Sequence, residues 1–257
     1  MSDSMLLNDR WYGLSGFALK IIAIIFMTID HATELWYYNI GEPLAVILRS
    51  SGRLTFPIMV FLLAEGYFHT HNKFKYAGRL LIFSIISMYP FVMMEGKPWN
   101  VLFTLFVGLC LLIIKDECVS FFDKIDERVW LVFFGVISFV ASVGLYMFDW
   151  GFAGIFAIYV GGQLKNTKVR AVIVPIILFC GYILKGFLIS GAFPPSFAIF
   201  SIPPYSMLFY AGCLVTIIPL FLYNGEKGYT KEPFTKYLFY VYYPLHIFIL
   251  SLVHSMG

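Results

Sequence analysis

LKIIAIIFMTIDHATELWYY, residues 19–38, is an apolar run long enough to cross a bilayer, yet it carries Asp30 and His31 inside it. A charged side chain at the middle of a membrane-spanning helix costs roughly 2.5 kcal/mol or more. Such groups face a protein interior or a polar cavity, so the pair reads first as a functional site. The structural alternative is that both groups stabilise helix packing by hydrogen bonding. Lys20 begins the run and His31 follows eleven residues later, about 16 Å further along a helix axis. If Lys20 marks the cytoplasmic end, His31 lies beyond the bilayer midplane. Asp30 then points about 100° away from His31, which leaves it free to orient the imidazole or to meet a cation on another span.

The rest of the chain has the same character. Of 257 residues 60% are hydrophobic and only 13% charged, with a mean hydropathy of +0.82; soluble domains carry about a quarter charged residues. The expectation is an integral membrane protein with a single membrane domain over residues 1–257. No removable signal peptide is expected, because the first apolar run is long and lacks a small-residue cleavage pattern. A net charge of +3 gives no reason to expect nucleic acid as a partner. Cys110, Cys118, Cys180 and Cys213 are widely spaced, mostly within apolar runs; they suggest neither a metal site nor a disulfide framework.

Windows of about 20 apolar residues mark nine candidate spans, at 15–36, 44–67, 77–95, 100–115, 129–148, 151–164, 170–190, 205–223 and 237–254. The basic residues follow them. Arg10 and Lys20, Lys73 to Arg79, Lys115 to Arg128, Lys165 to Arg170 and Lys227 to Lys236 fall on one side, which the positive-inside rule makes cytoplasmic. Only Lys97 and Lys185 fall on the other side, with Arg49 and Arg53 inside or beside the second span. The predicted architecture is an all-α polytopic transmembrane helix bundle of about nine spans, N-terminus cytoplasmic and C-terminus outside. FFDKIDER at 121–128 is amphipathic enough to lie at the cytoplasmic surface. GFLISGAFPPSFAIFSIPPY at 186–205 is broken by paired prolines and is expected to form an external or re-entrant loop. No internal repeat of the kind found in many transporters is visible.

Three polar constellations stand out. Lys20, Asp30 and His31 form the first, with His31 suited to act as a base near neutral pH. Arg49 and Arg53 in ILRSSGRLTFPIMVFLLAEGYF form the second, at a depth comparable with His31; Arg53, the more deeply placed, is read either as an ion-pair partner of Asp30 or Glu65 or as an anchor for an anionic or carbonyl-bearing ligand. The third is EGYFHTHNKFKYAGRL, with Glu65, Asn72, Lys73, Lys75, Tyr76 and Arg79, whose donors would suit a phosphate-bearing ligand. Smaller signals are Asn100 and Thr104, Asp149-Trp150-Gly151, and Tyr243-Pro244-Leu245-His246, where Pro244 should kink the last span. A lone intramembrane His246 is more often a packing residue, and gains weight only in company.

Five blocks resemble the TraX family of membrane proteins: KIIAIIFMTIDH at 20–31, GRLTFPIMVFLLAEGYFHTHNKFKYAGRLLIFSIISMYPF at 52–91, NVLFTLFVGL at 100–109, DWGFAGIFAIYV at 149–160 and FYVYYPLHIFIL at 239–250. The likeness runs through most of the chain, and the second block is its most specific part. The family's founding members act in conjugative pilin acetylation. Lys20 and His31, with ten residues between them, also resemble the first-span pattern of acyltransferase-three type membrane acyltransferases. The resemblance implies an integral membrane acetyltransferase of the bacterial cytoplasmic membrane that uses cytoplasmic acetyl-CoA as acyl donor. The acceptor would be a hydroxyl or amine in or across the membrane, on a pilin N-terminus, a surface glycan or a small molecule.

On that reading His31 is the general base, Asp30 orients it or pairs with Arg53, and Arg53 stabilises the thioester oxyanion or positions the acceptor. Lys20, Asn72, Lys73, Lys75, Tyr76 and Arg79 are the candidate acetyl-CoA contacts, and Arg49, Glu65 and His246 the candidate substrate contacts. No metal is expected. CoA binding is not visible in composition or spacing, and the chain has no Gly-rich phosphate loop. The competing reading is a proton-coupled transporter or flippase with a relay through Asp30, His31, Arg53, Glu65 and His246.

Overall fold

Helix starts are set by side chains that accept the first free backbone N–H groups. Ser15 accepts from Ala18 N at 3.2 Å, Asn72 from Lys75 N at 2.8 Å, Asn100 from Leu102 N at 3.1 Å and Asp126 from Arg128 N at 2.8 Å. A computed structural model describes residues 13–190, 204–229 and 234–256. The helices are α1 (Gly16–Leu35), α2 (Tyr37–Ile40), α3 (Leu44–Gly52), α4 (Thr55–His69), α5 (Lys73–Ile86), α6 (Met88–Glu95), α7 (Val101–Phe121), α8 (Glu127–Gly144), α9 (Gly151–Gln163), α10 (Thr167–Ser190), α11 (Pro204–Val215), α12 (Ile217–Phe221) and α13 (Phe234–Met256). Among the described residues there is no strand; a single bridge joins Leu14 to Tyr223.

Each of the nine apolar segments is largely helical, but not each is one long helix. Five stretches are long and apolar enough to cross a membrane: Gly16–Leu35, Leu44–His69, Glu127–Gly144, Thr167–Lys185 and Tyr237–Met256. The pair α5 and α6, bent by 47° at its junction, gives a sixth if it counts as one span. Helix α7 is long but carries Lys115-Asp116-Glu117 within its last two turns, and α9 has only 13 residues. The segment at 121–128 is exposed throughout and forms the turn from α7 into α8. The proline-rich loop expected within 186–205 falls for the most part outside the described residues.

Burial is arranged for a lipid surround. Helix α8 turns Val132, Val136 and Val140 outward and keeps Ser138 and Ser142 buried, as expected where the solvent is hydrocarbon and polar groups need internal partners. The short α9 is central, packed against α4, α7, α8 and α10. Its close approach to α7 depends on Gly108, where a Cβ would run into Ile158 at 2.7 Å.

Polar contacts gather at two ends of the bundle. At one end, Gly16 N donates to Glu226 O at 2.8 Å, Lys115 reaches Gln163 at 3.3 Å and Lys20 lies over the Phe239 ring at 5.0 Å. These contacts join the start of α1, the ends of α7 and α9, and the start of α13. The other end holds the last turns of α1 and α6 and the α3–α4 junction, around a cavity.

Candidate functional site

Asp30 and His31 lie three-quarters of the way along α1, where adjacent residues of one helix face different partners. Asp30 is buried and faces α3 and α4. Arg53 Nη2 donates to its Oδ2, and Arg49 Nη1 stands 3.1 Å from its Oδ1. Arg49 also meets Glu34, one turn after Asp30, at 2.6 Å. The helices can approach this closely because Gly52 has no side chain; a Cβ there would collide with the Asp30 side chain. Of the two partners open to Asp30, the structure places it on Arg53.

His31 faces α13 instead. Its Nδ1 lies 2.8 Å from His246 Nε2, and the rings are parallel within 7° at 5.1 Å. His246 Nδ1 in turn lies 2.8 Å from the Tyr242 carbonyl oxygen, and the Tyr242 ring stacks on His246 at 4.9 Å. The Tyr242 hydroxyl is fixed 2.6 Å from that of Thr28. A carbonyl can only accept, so His246 Nδ1 carries the hydrogen and, in the neutral ring, Nε2 accepts. His31 Nδ1 must then donate, which leaves Nε2 as the unprotonated nitrogen of His31. The company that the sequence could not supply for His246 is His31 itself.

A cavity of about 300 Å³ opens beside this arrangement. It is lined by His31, Asp30, Glu34, Arg49 and Arg53 from α1 to α4, by Glu95 and Lys97 after the α5–α6 bend, and by Asp149, Trp150, Tyr182, Lys185, Phe209, Tyr210 and Tyr243. His246 lies behind His31 rather than on the wall. Arg53 sits over the rings of Trp150 at 5.1 Å and Phe209 at 4.5 Å, a cation–π setting that holds the guanidinium flat. Trp150 occupies the left-handed region at φ 59°, a strained conformation for a large residue. It is held there by stacking on Phe56 at 4.6 Å and by Arg53. Asp149, in the turn before α9, is half-buried, and desolvation pushes its carboxyl up to about 6.

The remaining sequence-derived candidates lie at the opposite end. Glu65 is ion-paired with the fully buried Arg170 and is 3.4 Å from the Tyr223 hydroxyl; it is not at the cavity. A relay through Asp30, His31, Arg53, Glu65 and His246 would therefore have to join two separate clusters. Lys73 reaches Asp116 at 2.5 Å and covers the Tyr67 ring at 4.1 Å, while Tyr67 donates to the same carboxylate. Asn72 caps α5, Tyr76 packs against Gly66, Arg79 lies over Tyr76 at 5.4 Å, and Lys75 is exposed. Glu34, Glu95, Tyr182 and Tyr210 were not among the sequence-derived candidates. Only Glu34 had a readable signal, its i,i+4 spacing from Asp30.

These features define a polytopic helical membrane protein with an imidazole pair and a compensated charge cluster at a cavity inside one end of its bundle. The chain belongs to the TraX family, whose model, described as TraX protein, matches residues 15–254. It is 33% identical to a protein of Dichelobacter nodosus described as probable fimbrial assembly protein FimC, serogroup H1, over 260 residues that cover 94% of this chain and 96% of that one. No solved structure matches it.

Proposed function

We propose that this chain is an integral membrane acetyltransferase that takes an acetyl group from cytoplasmic acetyl-CoA and delivers it to an acceptor hydroxyl or amine at the cavity. The observation that carries the reading is the hydrogen-bond chain from His31 through His246 to the Tyr242 carbonyl. It holds His31 in the tautomer a base needs, on a cavity wall inside an apolar bundle. Nε2 takes the proton of the acceptor as its oxygen or nitrogen bonds to the acyl carbon. The carbon–sulfur bond breaks, and the leaving CoA sulfur takes that proton back from the imidazolium. Arg53 offers positive charge to the developing oxyanion, and Asp30 keeps it in place.

The proposed topology is nine spans with the N-terminus cytoplasmic, in the bacterial cytoplasmic membrane. The way successive helix ends alternate between the two polar ends supports it. Lys20, Asn72, Lys73, Lys75, Tyr76 and Arg79 would then face the cytoplasm as the region that meets CoA. The acyl-bearing arm would extend about 16 Å inward from there, the axial distance from Lys20 to His31. The fimbrial assembly description of the relative favours a pilin N-terminus as acceptor over a surface glycan or a small molecule.

The test uses the purified full chain in detergent with acetyl-CoA and a pilin N-terminal peptide, the product being followed by mass spectrometry. Transfer should occur with the native protein, and His31→Ala should abolish it at an unchanged melting temperature. Normal transfer by that variant would sink the assignment of His31.

A further inference from the structure

Of Tyr243-Pro244-Leu245-His246 in the last span, the acyl-transfer chemistry above uses only His246. Tyr243 lies three residues earlier on α13, so the two share a face of that helix, and their rings meet at 5.8 Å, edge to face. Tyr243 lines the cavity together with His31 and Arg53 and is only 2% exposed. Its buried hydroxyl makes no hydrogen bond among the described residues. Val101 N, at the start of α7, bears on the phenolic oxygen, but an N–H can only donate, so the hydroxyl hydrogen is left without an acceptor. The carboxylates of Asp149 and Glu95, whose charge reaches this group, do not accept it either. A buried donor in that state costs free energy, which an acceptor oxygen on a bound molecule returns. Arg53 has one such atom as well: Nη2 is bonded to Asp30, while the buried Nε has no partner. The first turn of α7 links the two groups. Val101 adjoins Tyr243, and Thr104 donates to the Asp149 carbonyl at 2.5 Å, fixing the turn that sets Trp150 against Arg53 at 5.1 Å.

We propose that the Tyr243 hydroxyl donates a hydrogen bond to the acyl oxygen and forms, with Arg53, a two-armed oxyanion site. This role rests on the acetyltransferase reading. As the acceptor nitrogen or oxygen bonds to the acetyl carbon, its proton passes to His31 Nε2 and the carbonyl π pair moves onto the acyl oxygen. That oxygen has lone pairs for two donors. The pair then returns to re-form the carbonyl, the carbon–sulfur bonding pair leaves with the CoA sulfur, and the resulting thiolate takes the proton from His31. Tyr243 keeps its own proton throughout. A neutral hydroxyl suits the task, because its bond to the acyl oxygen strengthens as charge develops there. The Arg53 charge, by contrast, is already partly balanced by Asp30.

Tyr243→Phe removes the hydroxyl alone. In the full chain in detergent, with acetyl-CoA and a pilin N-terminal peptide, it should lower kcat about 100- to 1000-fold. KM for acetyl-CoA should stay as in the native protein, since the bond is gained in the transition state. The melting temperature without ligand should not fall, because the lost hydroxyl has no partner in the protein. A second variant carries 3-fluorotyrosine in place of Tyr243, a more acidic donor of nearly the same size, and should turn over at least as fast as the native chain. A lower melting temperature for Tyr243→Phe with little change in kcat would make the hydroxyl structural and overturn the proposal. Native turnover by Tyr243→Phe, while His31→Ala is inactive, would overturn it and leave the acetyltransferase reading standing. Absence of transfer by the native chain would overturn both.

Discussion

Arg170 and Arg53 are both arginines paired with a carboxylate inside a helix bundle, at opposite ends of the same molecule. Arg170 is wholly buried between Glu65, the Leu164 carbonyl and the rings of Phe61 and Phe68. It ties α10 to α4, and the cluster lies away from the cavity. Arg53 has the same kind of partner in Asp30, yet it stands on the wall of a cavity with His31, Lys97 and Lys185 beside it. A buried ion pair is weak support for function when protein groups satisfy it completely, because its desolvation cost offsets most of its attraction. A charge cluster kept open to a cavity has a second use, since its field acts on whatever enters.

That contrast can be broken by mutation, starting where the effect is largest. Arg170→Ala strands the Glu65 charge and should cost about 3–5 kcal/mol of stability, read as a large drop in melting temperature in detergent. The double variant Glu65→Leu with Arg170→Met should recover most of it. If the double variant melts as low as the single one, the pair does more than compensate charge. Gly52→Ala pushes α3 off Asp30 at the cavity end and should cost on the order of 1–3 kcal/mol, with loss of ligand binding at the cavity. An unaffected variant would mean that α1 and α3 do not pack as closely as described.

His246→Ala removes the acceptor that fixes the His31 tautomer and should lower acetyl transfer roughly 10- to 100-fold through kcat rather than KM. Equal losses in kcat and in melting temperature would make His246 a packing residue only. Asn72→Ala, at the opposite end, removes a helix cap and should cost about 1 kcal/mol without changing transfer. A raised KM for acetyl-CoA in that variant would instead place Asn72 at the donor site.

Much of the fold could be read directly from the chain. Apolar segments of bilayer length, separated by basic or polar loops, mark the helices, because hydrocarbon leaves a backbone few options except the helix. The Asp30–His31 anomaly was likewise legible, since the cost of placing charge there does not depend on what packs around it. The division of labour within that pair was not. Neighbours on one helix face different ways, so Asp30 went to Arg53 and His31 to a histidine 215 positions away. The basic stretch after Glu65 looked from the sequence like one ligand-binding cluster. The structure shows several of its groups already bonded within the protein, as in the Lys73 ion pair and the Asn72 cap.

The sequence by itself determined that this is a helical membrane protein of the TraX type, with costly ionisable groups at one depth of its first two spans. Composition and apolar length suffice for that, because they set the free energy of each segment in lipid independently of its neighbours. Only the tertiary structure decided which of those groups neutralise one another and which face open space. That outcome depends on contacts between helices distant in sequence: the His31–His246 bond, the Gly52 approach to Asp30, and the Arg53 guanidinium over Trp150 at the cavity.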